Sequence, residues 1–223
     1  AMRNFFNSGK GDMHRWVAAQ IHGKAEDEVT DLERTYAKST SFGILYGAQA
    51  PKIAQTIGCS LKEAEDFMRE YWKLFPNLSA WIGNQKRFVK INKYCESLFG
   101  RRRNLPDVDS GDQYLVEAAL RQGINAPIQG DASDLTLYAI GRIWNYLRTF
   151  DHSDPNKPSR LRGSVHDSIL ASVHVNDVSE VISHVKLNIL EKPELNFILE
   201  RGVRLQADVS IGPNWGSQTD IQF

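Results

Sequence analysis

Long hydrophobic runs are absent from this sequence of 223 residues. No apolar stretch approaches the roughly 18 residues that a membrane-spanning helix needs. The first residues are polar and lack the apolar segment of a secretory signal peptide. We therefore predict a chain without a transmembrane segment or signal peptide, with no membrane partner and a cytoplasmic location.

Cysteine is also scarce, since the chain has only Cys59 and Cys95. Their separation matches neither a metal-binding spacing nor a disulfide framework, which is typical of a reducing compartment. Ala1 precedes Met2, so we interpret Ala1 as a tag-cleavage scar and Met2 as a candidate native start.

An excess of charge of either sign is missing, because 27 basic residues balance 27 acidic ones. This balance argues against a nucleic-acid binder held by its global charge. The distribution is uneven, however, and a local basic surface is sufficient to bind phosphates. Against Glu96 alone, the segment 86–103 carries Lys86, Arg87, Lys90, Lys93, Arg101, Arg102 and Arg103.

Hydrophobic periodicity and capping signals predict an α+β protein with a mainly helical first half. The predicted helices cover residues 12–22, 31–46, 61–74, 77–92, 114–125, 132–148 and 178–190. We expect Asp12, Asp31 and Ser60 to cap the first three, and Pro76 and Pro127 to separate neighbouring helices. Two short strands around a turn are predicted within 161–174 and a half-buried strand at 203–211, with an exposed loop at 150–159.

The helix predicted at 31–46 carries a graded stripe of side chains. Arg34, Lys38, Phe42 and Tyr46 recur every fourth residue, so each is turned only about 40° from the one before, and the stripe spans roughly 18 Å. Two cations followed by two rings could bind a nucleoside triphosphate lengthwise. The ordinary alternative is a solvated cationic face beside core aromatics. Like charges one turn apart and two helix-weakening glycines, Gly43 and Gly47, favour the ligand interpretation.

Two further segments carry candidate functional groups. Asp167 follows His166 between two strand-like pieces, and an exposed carboxylate at a tight turn suits a hard cation such as Mg²⁺. Asn125 and Gln129 are predicted between two helices, where amides could read minor-groove acceptors. The alternative for both segments is an ordinary turn residue.

The stretch RTYAKSTSFGILYG at 34–47 resembles motif B of the DNA polymerase I family, family A. Residues 165–167, Val-His-Asp, resemble motif C, although most family members continue with Glu where this chain has Ser168. Arg121 and the run 125–130 resemble the segment that checks primer–template geometry. Further similar segments are 11–14, 98–103 and the final 212–215.

The resemblance implies a fingers-like helical subdomain at 1–110, with the motif B helix at 31–47. It also implies a palm-like α+β subdomain at 111–223, with a small antiparallel sheet and the motif C hairpin at 161–174. The assembled active site would contain two Mg²⁺ ions, and Asp167 would be a ligand of this metal. Lys38 and Arg34 would neutralise the triphosphate of the dNTP, and Lys38 could protonate the leaving pyrophosphate.

The remaining implied roles are distributed between nucleotide and DNA. His14 would assist at the phosphates, Phe42 would stack on the incoming nucleotide, and Tyr46 would shape the base-pair pocket. Primer and template would be contacted by Arg101, Arg121, Asn125, Gln129 and His166.

Motif A, which carries the second metal-binding Asp in this family, has no counterpart in the sequence. One carboxylate alone cannot hold two metal ions. We therefore expect a second polypeptide to supply motif A, the thumb and any exonuclease domain, as in a split polymerase of a bacterial or phage-infected cell. The alternatives are a non-catalytic DNA-binding or assembly subunit, and part of a single-subunit RNA polymerase, for which His-Asp-Ser is more typical.

Overall fold

A computed structural model describes residues 2–9, 11–150, 159–191, 202 and 205–221. The chain divides into two compact units, Ala1–Asp131 and Ala132–Phe223. Helices dominate the first unit, and the described strands pair only in antiparallel two-stranded sheets, so the predicted α+β class is confirmed. No helix in the described part of the chain is long and apolar enough to cross a membrane.

The helices lie mostly where the sequence predicts them. They are α1 Met2–Asn7, α2 Met13–His22, α3 Asp31–Leu45, α4 Ala50–Ile57, α5 Leu61–Leu74, α6 Pro76–Asn92, α7 Gln113–Leu147 and α8 Val178–His184. A π-helical segment, Val185–Leu190, continues α8. The short helices α1 and α4 were not predicted, and α6 begins at Pro76 itself, because proline suits the first helical position.

The helix caps confirm two of three predictions. Asp12 accepts the backbone N–H groups of His14 and Arg15 at the start of α2, and Ser60 forms a capping box with Glu63. The prediction that Asp31 caps α3 is wrong. Thr30 occupies that position, because its hydroxyl accepts the backbone N–H of Glu33 while the Glu33 carboxylate accepts that of Thr30.

The described residues of the first unit form two hydrophobic clusters. Val17 and Ala18 of α2 pack with Ala37 and Ile44 of α3 and with Tyr71 of α5. In the second cluster, Val89 of α6 packs with Ala119 and Leu120 of α7. The cluster also contains Cys95, Leu105 and Val108, which lie between α6 and α7 in the sequence. The unpredicted strands β1 (Tyr94–Glu96) and β2 (Arg102–Asn104) form a hairpin here. The first cluster fixes α3 against α2, so one face of α3 is committed to the core.

Helix α7 corrects the prediction of two helices separated at Pro127. Proline in a helix leaves the carbonyl four residues earlier without its usual N–H donor. That carbonyl belongs to Gly123, and the Gln85 side-chain amide of α6 donates to it at 3.0 Å. The missing hydrogen bond is thus replaced from a neighbouring helix, and α7 continues through Pro127.

Gly123 also sets how closely α6 and α7 approach. A Cβ added there would lie 2.6 Å from Val89 Cγ2 and 3.2 Å from Leu105 Cδ1. Gly83 of α6, in the same unit, has no atom within 4 Å of an added Cβ. The same substitution therefore meets a packed core at one position and open space at the other.

We expect Gly123→Ala to destabilise the first unit by about 1–2 kcal/mol, because overpacking exceeds the gain in helix propensity. Gly83→Ala is expected to stabilise it by about 0.5–1 kcal/mol, since only the propensity term remains. Urea unfolding followed by circular dichroism measures both. Shifts of the same sign in the two variants would contradict the packing described for Gly123.

The second unit contains an antiparallel hairpin packed on helices. β3 (Arg160–Val165) pairs with β4 (Ser168–Ser172), and Val165 lies opposite Ser168, so His166 and Asp167 form a two-residue turn. This confirms the prediction of two strands around a turn. The core of the second unit joins α7, α8, the π-helical segment and the hairpin through Ala139, Ile143, Leu147, Val181, Ile189, Leu161 and Ile169.

The strand predicted at 203–211 is shorter in the structure. β5 covers Val209–Ile211 and pairs with an unpredicted strand, β6 (Thr219–Ile221), while residues 205–208 are irregular. Val203 and Arg204 lie outside the described residues, as does the predicted loop over 151–158. The fingers-like and palm-like division at 110–111 stays a prediction.

Candidate functional site

The graded stripe lies on the exposed side of α3. The opposite side is buried in the first unit through Ala37, Thr40, Ser41 and Ile44. Lys38 is exposed, and the rings of Phe42 and Tyr46 remain 45% and 48% exposed. Two neighbouring exposed aromatic residues beside two cations form a surface with apolar and cationic parts, which is the composition that a nucleotide requires.

Arg34 is engaged by Asp12 across the α2–α3 interface. Its Nε donates to Asp12 Oδ2, while Asp12 Oδ1 accepts the backbone N–H groups of His14 at 2.9 Å and Arg15 at 3.2 Å. Burial opposes ionisation of Asp12, but these hydrogen bonds, led by that from Arg34, lower the pKa of its carboxyl. Sequence reasoning identified Asp12 only as a cap and missed this ion pair, since its partner lies 22 positions away.

His14 lies beside the stripe. Its ring centroid is 5.6 Å from that of Phe42, and the two planes are inclined by 49°. Burial lowers the pKa of His14, Asp12 opposes this effect, and the positive charges of Arg34 and Lys38 add to the lowering. Among the described residues, the buried Nδ1 of His14 has no hydrogen-bond partner. The structure thus places His14 beside Phe42 and within electrostatic range of Arg34 and Lys38, and the nucleotide-binding role of these residues stays a prediction.

The end of the stripe meets α7. Gln129 Nε2 lies 3.3 Å from the Tyr46 hydroxyl, to which it donates. The Arg121 side chain lies against Gly47, where an added Cβ would be 2.9 Å from Arg121 Cγ. Gly47 also has a φ of +74°, a conformation that glycine adopts without strain. The two residues that follow α3, Tyr46 and Gly47, are therefore in contact with two of the predicted DNA-binding residues.

Arg121, Asn125 and Gln129 lie on one face of α7. The prediction that Asn125 and Gln129 lie between two helices is wrong, because α7 is continuous through Pro127. Residues four apart on a helix are neighbours, so the three side chains form a row. Continuity gives these residues a fixed spacing of one turn, which a loop would not supply.

The basic segment is partly neutralised in the structure. Arg102 pairs with Glu96 and lies 4.6 Å from the centroid of the Tyr94 ring. Lys93 pairs with Asp109, and Arg103 Nη2 donates to Gln122 at 3.0 Å. Arg101, the residue predicted to contact DNA, is exposed before β2. The predicted basic surface therefore carries less free charge than its composition indicates.

In the second unit, His166 and Asp167 are exposed at the tip of the β3–β4 hairpin. His166 has a φ of +54°, whereas Asp167 does not adopt positive φ. Positive φ at the first turn position is the pattern of a type II′ turn, in which glycine is usual. A histidine thus occupies a turn position that glycine usually takes, and Asp167 follows it at the exposed tip of the hairpin.

Among the described residues, no group of three or more His, Cys, Asp or Glu side chains could hold a metal ion. The Asp167 carboxylate offers oxygen atoms of the kind that Mg²⁺ prefers as ligands. One carboxylate is nevertheless insufficient to hold two ions. Further ligands would have to come from outside this described set.

Comparisons with known proteins agree with the motifs. The sequence profile of DNA polymerase family A matches residues 1–217. A DNA polymerase of Bacillus phage SP01 is 36% identical over 221 residues, covering 96% of this chain and 23% of the relative. The thermostable DNA polymerase I of Thermus filiformis is 33% identical over 214 residues, which cover 96% and 24% of the two chains.

A solved structure supports the same relationship. The chain is similar to the POL domain of Pol1 from M. smegmatis in complex with DNA primer-template and dNTP. The TM-score is 0.77 at 30% identity, and the match covers 90% of this chain and 33% of the other. The chain thus spans about a quarter of the length of the two curated relatives described above.

Proposed function

Because the chain belongs to DNA polymerase family A, we propose that it binds a dNTP and primer–template DNA and contributes to DNA-directed nucleotidyl transfer. The fingers-like part would be 1–110 and the palm-like part 111–223. The proposal concerns a part of the polymerase, since the chain spans 23% and 24% of the two curated relatives. The location would be cytoplasmic.

The exposed stripe of α3 is the observation that carries this proposal. Arg34 and Lys38 would neutralise the triphosphate, Lys38 would also donate a proton to the leaving pyrophosphate, and Phe42 would stack on the incoming nucleotide. Phosphoryl transfer depends mainly on positioning and charge neutralisation, which these side chains can supply. The exposure of Phe42 and Tyr46 supports a ligand-facing role, because a stripe serving only as core would be buried.

Contacts with the stripe support the assignments of His14 and Gln129. His14 lies beside Phe42 and would assist at the phosphates, while Tyr46 would shape the base-pair pocket. Arg121, Asn125 and Gln129 would contact primer and template from α7, together with Arg101 and His166. Amide side chains reach minor-groove acceptors that every base pair presents, so such contacts check geometry rather than sequence.

Family A DNA polymerases generally use Mg²⁺. In this chain Asp167 would be one ligand, and a pair of bound ions would polarise the reacting phosphate and its leaving group. The other ligands would come from motif A, on a second polypeptide that also carries the thumb and any exonuclease domain. Among the described residues, only this carboxylate is assigned to the metal.

Primer extension tests both the function and the need for a partner. We expect the chain alone to bind dNTP and primer–template without extending the primer. Extension should appear when a polypeptide corresponding to the upstream part of the relatives is added. Full extension by the chain alone would contradict the partner proposal, and absence of dNTP and DNA binding would contradict the function itself.

A non-catalytic DNA-binding or assembly subunit is the second candidate. It is favoured by one observation on the sequence, that the chain carries no counterpart of motif A and therefore lacks the second metal-binding Asp of the family. The same assay separates the two, because a non-catalytic subunit would bind DNA and leave extension by its partner independent of Lys38. Ser168 is more typical of single-subunit RNA polymerases, but the similarity to family A favours a DNA polymerase. Incorporation of deoxyribonucleotides in preference to ribonucleotides would test this interpretation.

A further inference from the structure

Asp12 uses its single carboxylate for two separate interactions. One oxygen caps α2 by accepting two backbone N–H groups, and the other accepts from the guanidinium of Arg34 on α3. An uncharged residue could perform the first function, since Asn and Ser are as effective as Asp at helix N-termini. The negative charge on Asp12 is therefore not required for capping, and its partner is the first cation of the stripe.

The contact between α2 and α3 does not depend on this ion pair. Arg15 Nη2 pairs with Asp31 at 2.7 Å, and Lys24 Nζ pairs with Glu33 at 2.6 Å, so two further charge pairs connect the α2 region to α3. The buried contact through Val17, Ala18, Ala37 and Ile44 supplies the hydrophobic part. Partly exposed ion pairs add little to stability. A role in stability alone therefore does not explain why Asp12 pairs with Arg34.

A carboxylate and a phosphate are equivalent partners for a guanidinium, because each offers two oxygens to its planar set of donors. The side chains of Arg34 and Asp12 are 35% and 30% exposed, so an incoming anion can reach them. An anion binding through Arg34 Nε must displace Asp12, and one binding through the terminal nitrogens still meets the repulsion of the Asp12 charge.

We propose that Asp12 is an internal counter-anion of Arg34, a positioning residue that holds the guanidinium in the nucleotide-free chain and competes with the triphosphate for it. This inference rests on the proposed nucleotide-binding function of the stripe. A polyphosphate must replace the Asp12 carboxylate at the guanidinium in order to bind, and this requirement lowers its affinity for the chain. Contacts to the base and sugar are not affected. Because the site is partly exposed, the competition weakens as salt concentration increases.

The test compares two isosteric substitutions that change net charge equally. Asp12→Asn keeps an N-cap and removes the charge next to Arg34. Asp31→Asn, the matched control, removes the charge that pairs with Arg15 on the same helix pair. Calorimetric titrations of the full chain without added metal use sodium tripolyphosphate, dTTP and thymidine as probes. Thermal unfolding is measured in parallel.

We expect Asp12→Asn to bind tripolyphosphate and dTTP about 3- to 10-fold more tightly than the unsubstituted chain, the range of one modest charge-assisted interaction. Thymidine affinity should not change, and Asp31→Asn should alter no affinity by more than about twofold, since the Asp31 carboxylate is 96% exposed to solvent and pairs with Arg15 rather than with Arg34. The difference between Asp12→Asn and the unsubstituted chain should shrink at high salt. Asp12→Ser, which also retains a capping group, repeats the test if the Asn variant does not fold.

The outcomes separate this inference from the proposed function. Tighter tripolyphosphate binding in Asp12→Asn without any dTTP binding supports the competition and contradicts the nucleotide function. Unchanged or weaker tripolyphosphate binding overturns the competition, whatever dTTP does. Equal tightening in Asp31→Asn also overturns it, because the effect would then reflect net charge alone.

Discussion

Replacement of Asp167 by Ala is expected to reduce nucleotide incorporation by at least about 10²–10³-fold, the usual cost of losing one preorganised electrostatic contact in an active site. The carboxylate is exposed at the tip of the β3–β4 hairpin and forms no ion pair with any described residue. Its charge is therefore available to a cation. Primer–template affinity should change little, because a carboxylate repels the phosphate backbone rather than binding it.

The measurement is single-turnover incorporation by the chain with the polypeptide that restores extension, together with DNA binding by fluorescence anisotropy. Asp220→Ala is the matched control, because Asp220 is an exposed carboxylate on the other described hairpin of the same unit, where it accepts the Ser210 hydroxyl at 2.6 Å. We expect Asp220→Ala to retain full incorporation. Equal incorporation in both variants would contradict the assignment of Asp167 to the metal.

The placement of the α3 stripe could be predicted from sequence because it depends on local periodicity. A spacing of four residues determines which side chains share a helix face. The opposite face contains Ala37 and Ile44, which are apolar and became buried. The β3–β4 hairpin was predictable for a similar reason, since two short apolar runs enclose a two-residue turn. Both the helix and the hairpin are therefore determined by residues that lie within a few positions of one another in the sequence.

The features that escaped prediction depend on residues distant in sequence. Pro127 indicates a helix break locally, and the amide that replaces its missing N–H at the Gly123 carbonyl belongs to Gln85, 38 positions before Gly123. The ion pair between Arg34 and Asp12 is similarly non-local. The Thr30 cap is the exception. Its capping box with Glu33 was readable locally, but Asp31 next to it is an equally good capping residue by type.

Replacement of Lys38 by Ala is the second substitution with a large expected effect. We expect it to reduce activity without reducing stability. Lys38 is exposed one turn after Arg34, and like charges at this spacing destabilise a helix by a few tenths of a kcal/mol. Lys38→Ala removes that repulsion and introduces the best helix former. We therefore expect the free energy of unfolding to stay equal or to increase slightly.

Incorporation by Lys38→Ala should nevertheless decrease by about 10²–10³-fold, because the transition state loses a positive charge at the transferring phosphates. Lys52→Ala is the control: Lys52 is an exposed lysine on α4 whose described contact is a hydrogen bond to Gln55 at 3.3 Å, and it should retain full activity. Urea unfolding and single-turnover incorporation are measured on all three proteins. A parallel decrease of stability and incorporation in Lys38→Ala would assign Lys38 to the fold, whereas unchanged stability with lost incorporation would assign it to the incorporation step.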